Sequence, residues 1–137
     1  MKKFALNLGV ILGAGLTLSA CQTAKMAENA ATLDVAFNWQ NTKACSGVSP
    51  AFQIGNIPAG TETLSFRMTD LNKLSFNHGG GTVKYSGSGD IAQGAFGYTG
   101  PCPPSGQHNY RWTVQALDKS GELILGEGKA TKAFPPN

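Results

Sequence analysis

The stretch from Gly97 to Asp118, GYTGPCPPSGQHNYRWTVQALD, constrains the fold more than any other part of the chain. It begins as a loop carrying Gly97, Gly100, Pro101, Pro103 and Pro104. Each proline fixes φ and removes a backbone donor, so the loop is stiff and cannot pair as an inner strand. From His108 the pattern changes. Tyr110, Trp112, Val114 and Ala116 are aromatic or apolar, and Arg111, Thr113 and Gln115 lie between them. A period of two predicts a half-buried strand. A rigid loop therefore delivers His108 to the rim of a sheet, an arrangement that holds a polar group still.

The same period recurs upstream. Leu33, Val35, Phe37 and Trp39 alternate with Asp34, Ala36 and Asn38, which predicts a first strand over 33–39. Glu62 to Asp70 reads as another, with Leu64, Phe66 and Met68 on one face. Asp70 falls in the same register, so alternation aims a carboxylate toward the core side at a strand end. Such a group needs a partner or water, or else it is a solvated turn aspartate. A short strand is expected over 51–54, a turn over 56–61, an irregular Gly/Ser-rich excursion over 86–96, and a last strand over 122–130 interrupted by Gly126 and Gly128. With 18 Gly, 7 Pro and only 14% charged residues, the composition suits a loop-rich β domain and not a helical bundle.

The first residues bear on compartment. Met1-Lys2-Lys3 is a short cationic start, and Phe4 to Leu18 is an uncharged apolar run. That length is short for a membrane span and suits a secretory signal. The ending Leu18-Ser19-Ala20-Cys21 resembles the lipobox of bacterial lipoproteins. The resemblance implies a signal peptide over 1–20, cleavage before Cys21 and acylation of its thiol. An ordinary signal peptide or an uncleaved anchor is the competing reading. Residues 21–32, small and alanine-rich, read as a tether, and 33–137 as one β domain. Gln22 is not the aspartate of an inner-membrane retention signal, so a Gram-negative source implies the outer membrane, facing the periplasm. Without Lys2 and Lys3 the chain has nine basic and eight acidic residues. No basic stripe supports nucleic-acid binding.

Gly97, Tyr98, Gly100, Pro101, Cys102, Pro103, Pro104, Gly106, His108 and Tyr110, followed by Ala116-Leu117-Asp118, resemble the phosphatidylethanolamine-binding protein family, also called the Raf kinase inhibitor protein family, in its bacterial branch. Cys45-x-Gly47-x-Ser49-Pro50 and Pro58-Ala59-Gly60-Thr61 add to the likeness. The resemblance implies an antiparallel β-sandwich, here in a minimal form without C-terminal helices. It implies an anion pocket built from Asp70, His78, Gly100, Pro101, Cys102, His108 and Tyr110. The chain departs from the pattern in two places. The second aspartate of Asp-x-Asp-x-Pro is Asn72 and the proline is missing, and His78 is followed by three glycines where relatives carry a tryptophan.

Both histidines of the chain sit at these matching positions, on segments whose meeting only the fold can settle. An imidazole N–H can donate to a phosphate or carboxylate, and an aspartate beside the ring favours the imidazolium. Two histidines and a carboxylate also have the composition of a metal triad, but no HxH or HExxH spacing supports one. No GxSxG motif marks a nucleophile, and Ser105 has no sign of activation. No cofactor is implied. With Cys21 assigned to the lipid, an exported protein keeps Cys45 and Cys102, which suggests a disulfide; two buried thiols are the alternative. The expectation is a non-enzymatic, membrane-anchored binding protein for a small anion or phospholipid headgroup. A protein-interaction or inhibitory module on the same scaffold is the rival.

Overall fold

A computed structural model describes residues 23–136. The expected signal peptide over 1–20 and the expected lipid site at Cys21 lie outside the described residues. Those residues form eight strands and no helix: β1 Lys25–Thr32, β2 Asp34–Phe37, β3 Phe52–Gly55, β4 Thr63–Asp70, β5 Gly80–Lys84, β6 Asp90–Ile91, β7 His108–Leu117 and β8 Leu123–Phe134. They make two sheets, β1-β8-β7-β4-β5 and β2-β3-β6, packed as a sandwich over one aromatic core. Phe52 of the smaller sheet lies 4.9 Å from Phe66 and 5.2 Å from Trp112 of the larger, ring centre to ring centre. The alternation in β4 and β7 is the inward face: Leu64, Phe66 and Met68 pack with Tyr110, Trp112, Val114 and Ala116, all at most 2% exposed. Burying a large apolar side chain to that extent stabilises by about 1.5–3 kcal/mol each.

Three expectations are corrected. Lys25–Thr32, expected to be part of a tether, is a strand, and it pairs with β8 in parallel, so the larger sheet is mixed and not wholly antiparallel. Its sequence has little periodicity; the partnering edge of β8 supplies the backbone bonds that order it. Gly126 and Gly128 do not interrupt the last strand, which runs on to Phe134. They pair with Ala116 and Val114 of β7. A Cβ on Gly128 would stand 2.3 Å from the carbonyl oxygen of Leu33, so the glycines give room for the chain crossing from β1 to β2. The segment 86–96 holds a two-residue strand, β6, which extends the smaller sheet through β3.

Loops 45–49 and 96–102 are joined at several points. Cys45 bonds to Cys102 with Cα atoms 4.6 Å apart, 57 positions along the chain. The Cys45 N–H donates to the Pro101 carbonyl at 2.8 Å, and Val48 bridges Gly97. Gly100 approaches so closely that a Cβ there would stand 1.7 Å from the Ser46 carbonyl oxygen. In the entropic account, a disulfide closing a loop of this length stabilises by roughly 4 kcal/mol.

Candidate functional site

Asp70 ends β4 and pairs with Tyr110 of β7. His108 lies two residues before Tyr110 and so shares its inward face. The register therefore brings Asp70 and His108 to one end of the sandwich, where His108 Nδ1 donates to Asp70 Oδ2 at 2.7 Å. Asp70 Oδ1 accepts from the backbone N–H groups of Asn72 at 2.8 Å and Lys73 at 3.1 Å. The buried Tyr110 phenol lies close enough to the same carboxylate and to the Cys102 backbone for both to act on its ionisation. Asp70 thus caps the turn after β4 and orients a ring, although it is only 4% exposed.

His78 reaches the same place from the connection between β4 and β5. Thr99, just before the Gly100-Pro101 turn, clamps it twice: the Thr99 N–H donates to the His78 carbonyl at 2.8 Å, and His78 Nδ1 donates to the Thr99 carbonyl at 2.6 Å. A carbonyl oxygen can only accept, so Nδ1 carries the proton. His78 Nε2 is left 4.0 Å from Asp70 Oδ2. Phe76 packs on the ring at 4.6 Å, and Tyr110 meets it edge-on at 5.4 Å.

These groups enclose a cavity of about 320 Å³ lined by Asp70, Lys73, Phe76, His78, Cys102, Pro104, His108 and Tyr110. Of the residues singled out in the sequence, Asp70, His78, Cys102, His108 and Tyr110 line it. Gly100 and Pro101 do not; both are buried behind it and fix the proline loop to the 45–49 loop. Lys73 and Phe76 were not singled out, and Pro104 only as part of the stiff loop and the motif, not as a pocket residue. The turn-capping chemistry of Asp70 was the available signal for Lys73, because an aspartate that bonds to the backbone two residues onward fixes the path of the chain after it.

The electrostatics are set by one buried charge. Burial pushes the Asp70 carboxyl up, but the hydrogen bonds from His108, Asn72 and Lys73 and the charge of His108 outweigh it, so its pKa lies below the ordinary value. Burial and the Asp70 charge push the Tyr110 phenol up to about 12, so it remains a neutral donor. Both imidazoles have Nδ1 committed, one to a carboxylate and one to a carbonyl, which leaves two Nε2 atoms for a ligand. With neutral rings, Asp70 and Lys73 balance; each proton added to a ring makes the cavity more positive. Among the described residues no three ligating groups are arranged to hold a metal ion.

The described residues form a two-sheet β scaffold with a histidine–aspartate cavity at one end of the sandwich. A sequence model of the family described as phosphatidylethanolamine-binding protein matches residues 72–134, a stretch that takes in His78, Cys102, His108 and Tyr110 and starts just after Asp70. A UPF0098 protein of Methanothermobacter thermautotrophicus is 37% identical over 76 residues, covering 56% of this chain and 45% of that protein. The chain thus spans less than half the length of this curated relative. A crystal structure of a phosphatidylethanolamine-binding protein homologue from Chlamydia trachomatis superimposes with a TM-score of 0.54 at 15% identity, over 80% of this chain and all of that one. The C-terminal part of the chain is thus similar in sequence to the phosphatidylethanolamine-binding protein family, and the described residues share the fold of that solved homologue.

Proposed function

We propose that this protein is a non-enzymatic binding protein of the bacterial envelope, anchored through lipid on Cys21, whose cavity accepts a small anion. The ligand class is phosphate or carboxylate, including a phospholipid headgroup. One observation carries the reading: two imidazoles face one cavity, each with Nδ1 held by an acceptor, so that each Nε2 is available to a ligand. Protonation at Nε2 converts an acceptor into a charged donor, and charge-assisted hydrogen bonds to an anion are the strong kind. Lys73 adds a further cation to the lining. Asp70 accepts from His108 Nδ1 at 2.7 Å, so its carboxylate fixes the ring with Nε2 as the remaining ring nitrogen for a ligand. The cationic start, the apolar run and Leu18-Ser19-Ala20-Cys21 support the envelope location.

Calorimetric titration with phosphate and with phosphoethanolamine, on the wild type and on His108→Ala, tests the reading. Binding should tighten as pH falls, and His108→Ala should weaken it by about tenfold, the loss of one charge-assisted bond. Equal affinity in both proteins would remove His108 from the site. Mass spectrometry of the mature chain should find acylated Cys21 as its first residue; any other N-terminus contradicts the anchor.

A further inference from the structure

The exposed large apolar side chains sort to different parts of the sandwich. Met26 and Leu123 lie at one end, where Lys25 pairs with Leu123 and Met26 with Ile124. Leu71, Leu74 and Phe76 stand at the other, on the connection after Asp70, with Leu74 72% and Phe76 49% exposed. β7 separates the ends: His108 starts it and Leu117, paired to Ile124, finishes it. Its ten residues span about 33 Å. The chain enters the described structure beside Lys25, at the end far from the cavity. From Cys21 to Lys25 the backbone reaches at most about 14 Å. An anchor at Cys21 therefore holds the Met26–Leu123 end against the bilayer and turns the cavity away from it.

The ridge beside the cavity is built as a surface. Asp70 bonds the Asn72 and Lys73 backbone, the Leu71 N–H donates to the Asn109 carbonyl at 2.8 Å, and the Asn109 N–H donates to Asn72 Oδ1 at 2.7 Å. Its shape is fixed before any partner arrives, which lowers the entropic cost of docking. Phe76 is a shared wall: the anion cavity lies on one side, and on the other a shallow cleft of about 120 Å³ is lined by Arg67, Thr69, Leu74 and Asn77 among others.

We propose that the cavity end is a docking face for an extended protein segment, which places an acidic side chain between His78 and His108 and a neighbouring apolar side chain against Leu74 and Phe76. The cations Lys73 and Arg67 flank the two recesses and complement an acidic partner. This rests on the anion reading of the cavity and names the source of the anion as a protein facing the anchored surface, not a headgroup within it.

The test uses the full chain, with capped hexapeptides bearing one glutamate beside leucine or phenylalanine as probes, and inorganic phosphate alongside. Histidine side-chain NMR reports the cavity. Leu74→Ser lies outside the cavity at an exposed position, so it should weaken peptide binding by about tenfold and leave phosphate binding unchanged. His108→Ala should weaken both. Phosphate binding without peptide binding, or peptides that bind wild type and Leu74→Ser equally, overturns the docking face and leaves the cavity reading standing. If neither probe moves a histidine resonance, the cavity reading falls and the docking face with it. In a second arm, the lipidated chain on phosphatidylethanolamine–phosphatidylglycerol vesicles should gain hydrogen-exchange protection around 23–26 and 118–123. Protection of 71–77 instead would overturn the proposal in favour of a lipid surface.

Discussion

Asp70 and Asp118 do the same local job at opposite ends of the larger sheet, with different results. Asp118 comes just after β7 and closes the hairpin into β8: it accepts from Ser120 Oγ at 2.8 Å and from the Leu123 backbone N–H at 3.1 Å. Asp70 ends β4 and closes its turn through Asn72 and Lys73. Both carboxyls lie below the ordinary value, Asp118 through the Ser120 hydroxyl above all, Asp70 because its hydrogen bonds outweigh its burial. Turn capping is therefore common to both and makes neither a site. At Asp70 the carboxylate is also buried, bonded to an imidazole, and set in a cavity with a second imidazole. Asp118 is half-buried and holds only its own hairpin. What sets the cavity end apart is the burial and the imidazole partner added to an ordinary cap.

The comparison breaks if the two aspartates behave alike. Asp70→Ala should cost about 3–5 kcal/mol in denaturant unfolding, because it leaves buried donors without their acceptor. Removing the disulfide by Cys45→Ala with Cys102→Ala should cost about 2–4 kcal/mol. Its effect on hydrogen exchange should fall on 97–106 at the cavity end and spare the 118–123 hairpin; uniform loosening would deny that the ends are separately built. The pH dependence sharpens the contrast. A carboxyl whose folded pKa is depressed contributes its full stability above the unfolded value of about 3.9 and loses it as pH falls through the folded value. The stability gap between wild type and Asp70→Asn should thus be full near about pH 6 and close on strong acidification. A gap that stays constant would mean that Asp70 acts by shape and not by charge. The smallest effect belongs to Asp118→Ala, with a slight loss of stability confined to the hairpin and no change in anion binding.

The parts of this molecule that were legible in the sequence are those where one face is buried. β4 and β7 alternate because a core lies on one side and solvent on the other, and that register places Asp70 and His108 on one face. β1 was not legible. KMAENAAT has no apolar period, and only the waiting edge of β8 makes it a strand. Gly126 and Gly128 read as breaks because the feature that requires them, the Leu33 crossing, lies on another segment. The cavity divides in the same way. The histidines and Cys102 came with the family resemblance, whereas Lys73 and Phe76 sit on a loop without period, put in place by hydrogen bonds to Asp70 and Asn109. Gly100 and Pro101 carry the resemblance as strongly as His108 does, yet they form the support behind the wall. Sequence likeness cannot separate a residue that touches a ligand from one that holds the wall.

The central claim is that His78 and His108 keep Nδ1 protonated by fixed acceptors and offer Nε2 to an anion. Nitrogen-15 NMR of the two imidazole side chains, recorded with and without inorganic phosphate, tests it directly. Both Nδ1 resonances should remain those of protonated nitrogens throughout, and both Nε2 resonances should move toward the protonated position as phosphate is added. Nε2 resonances that do not respond, or a His78 whose proton sits on Nε2 in the free protein, would contradict the account.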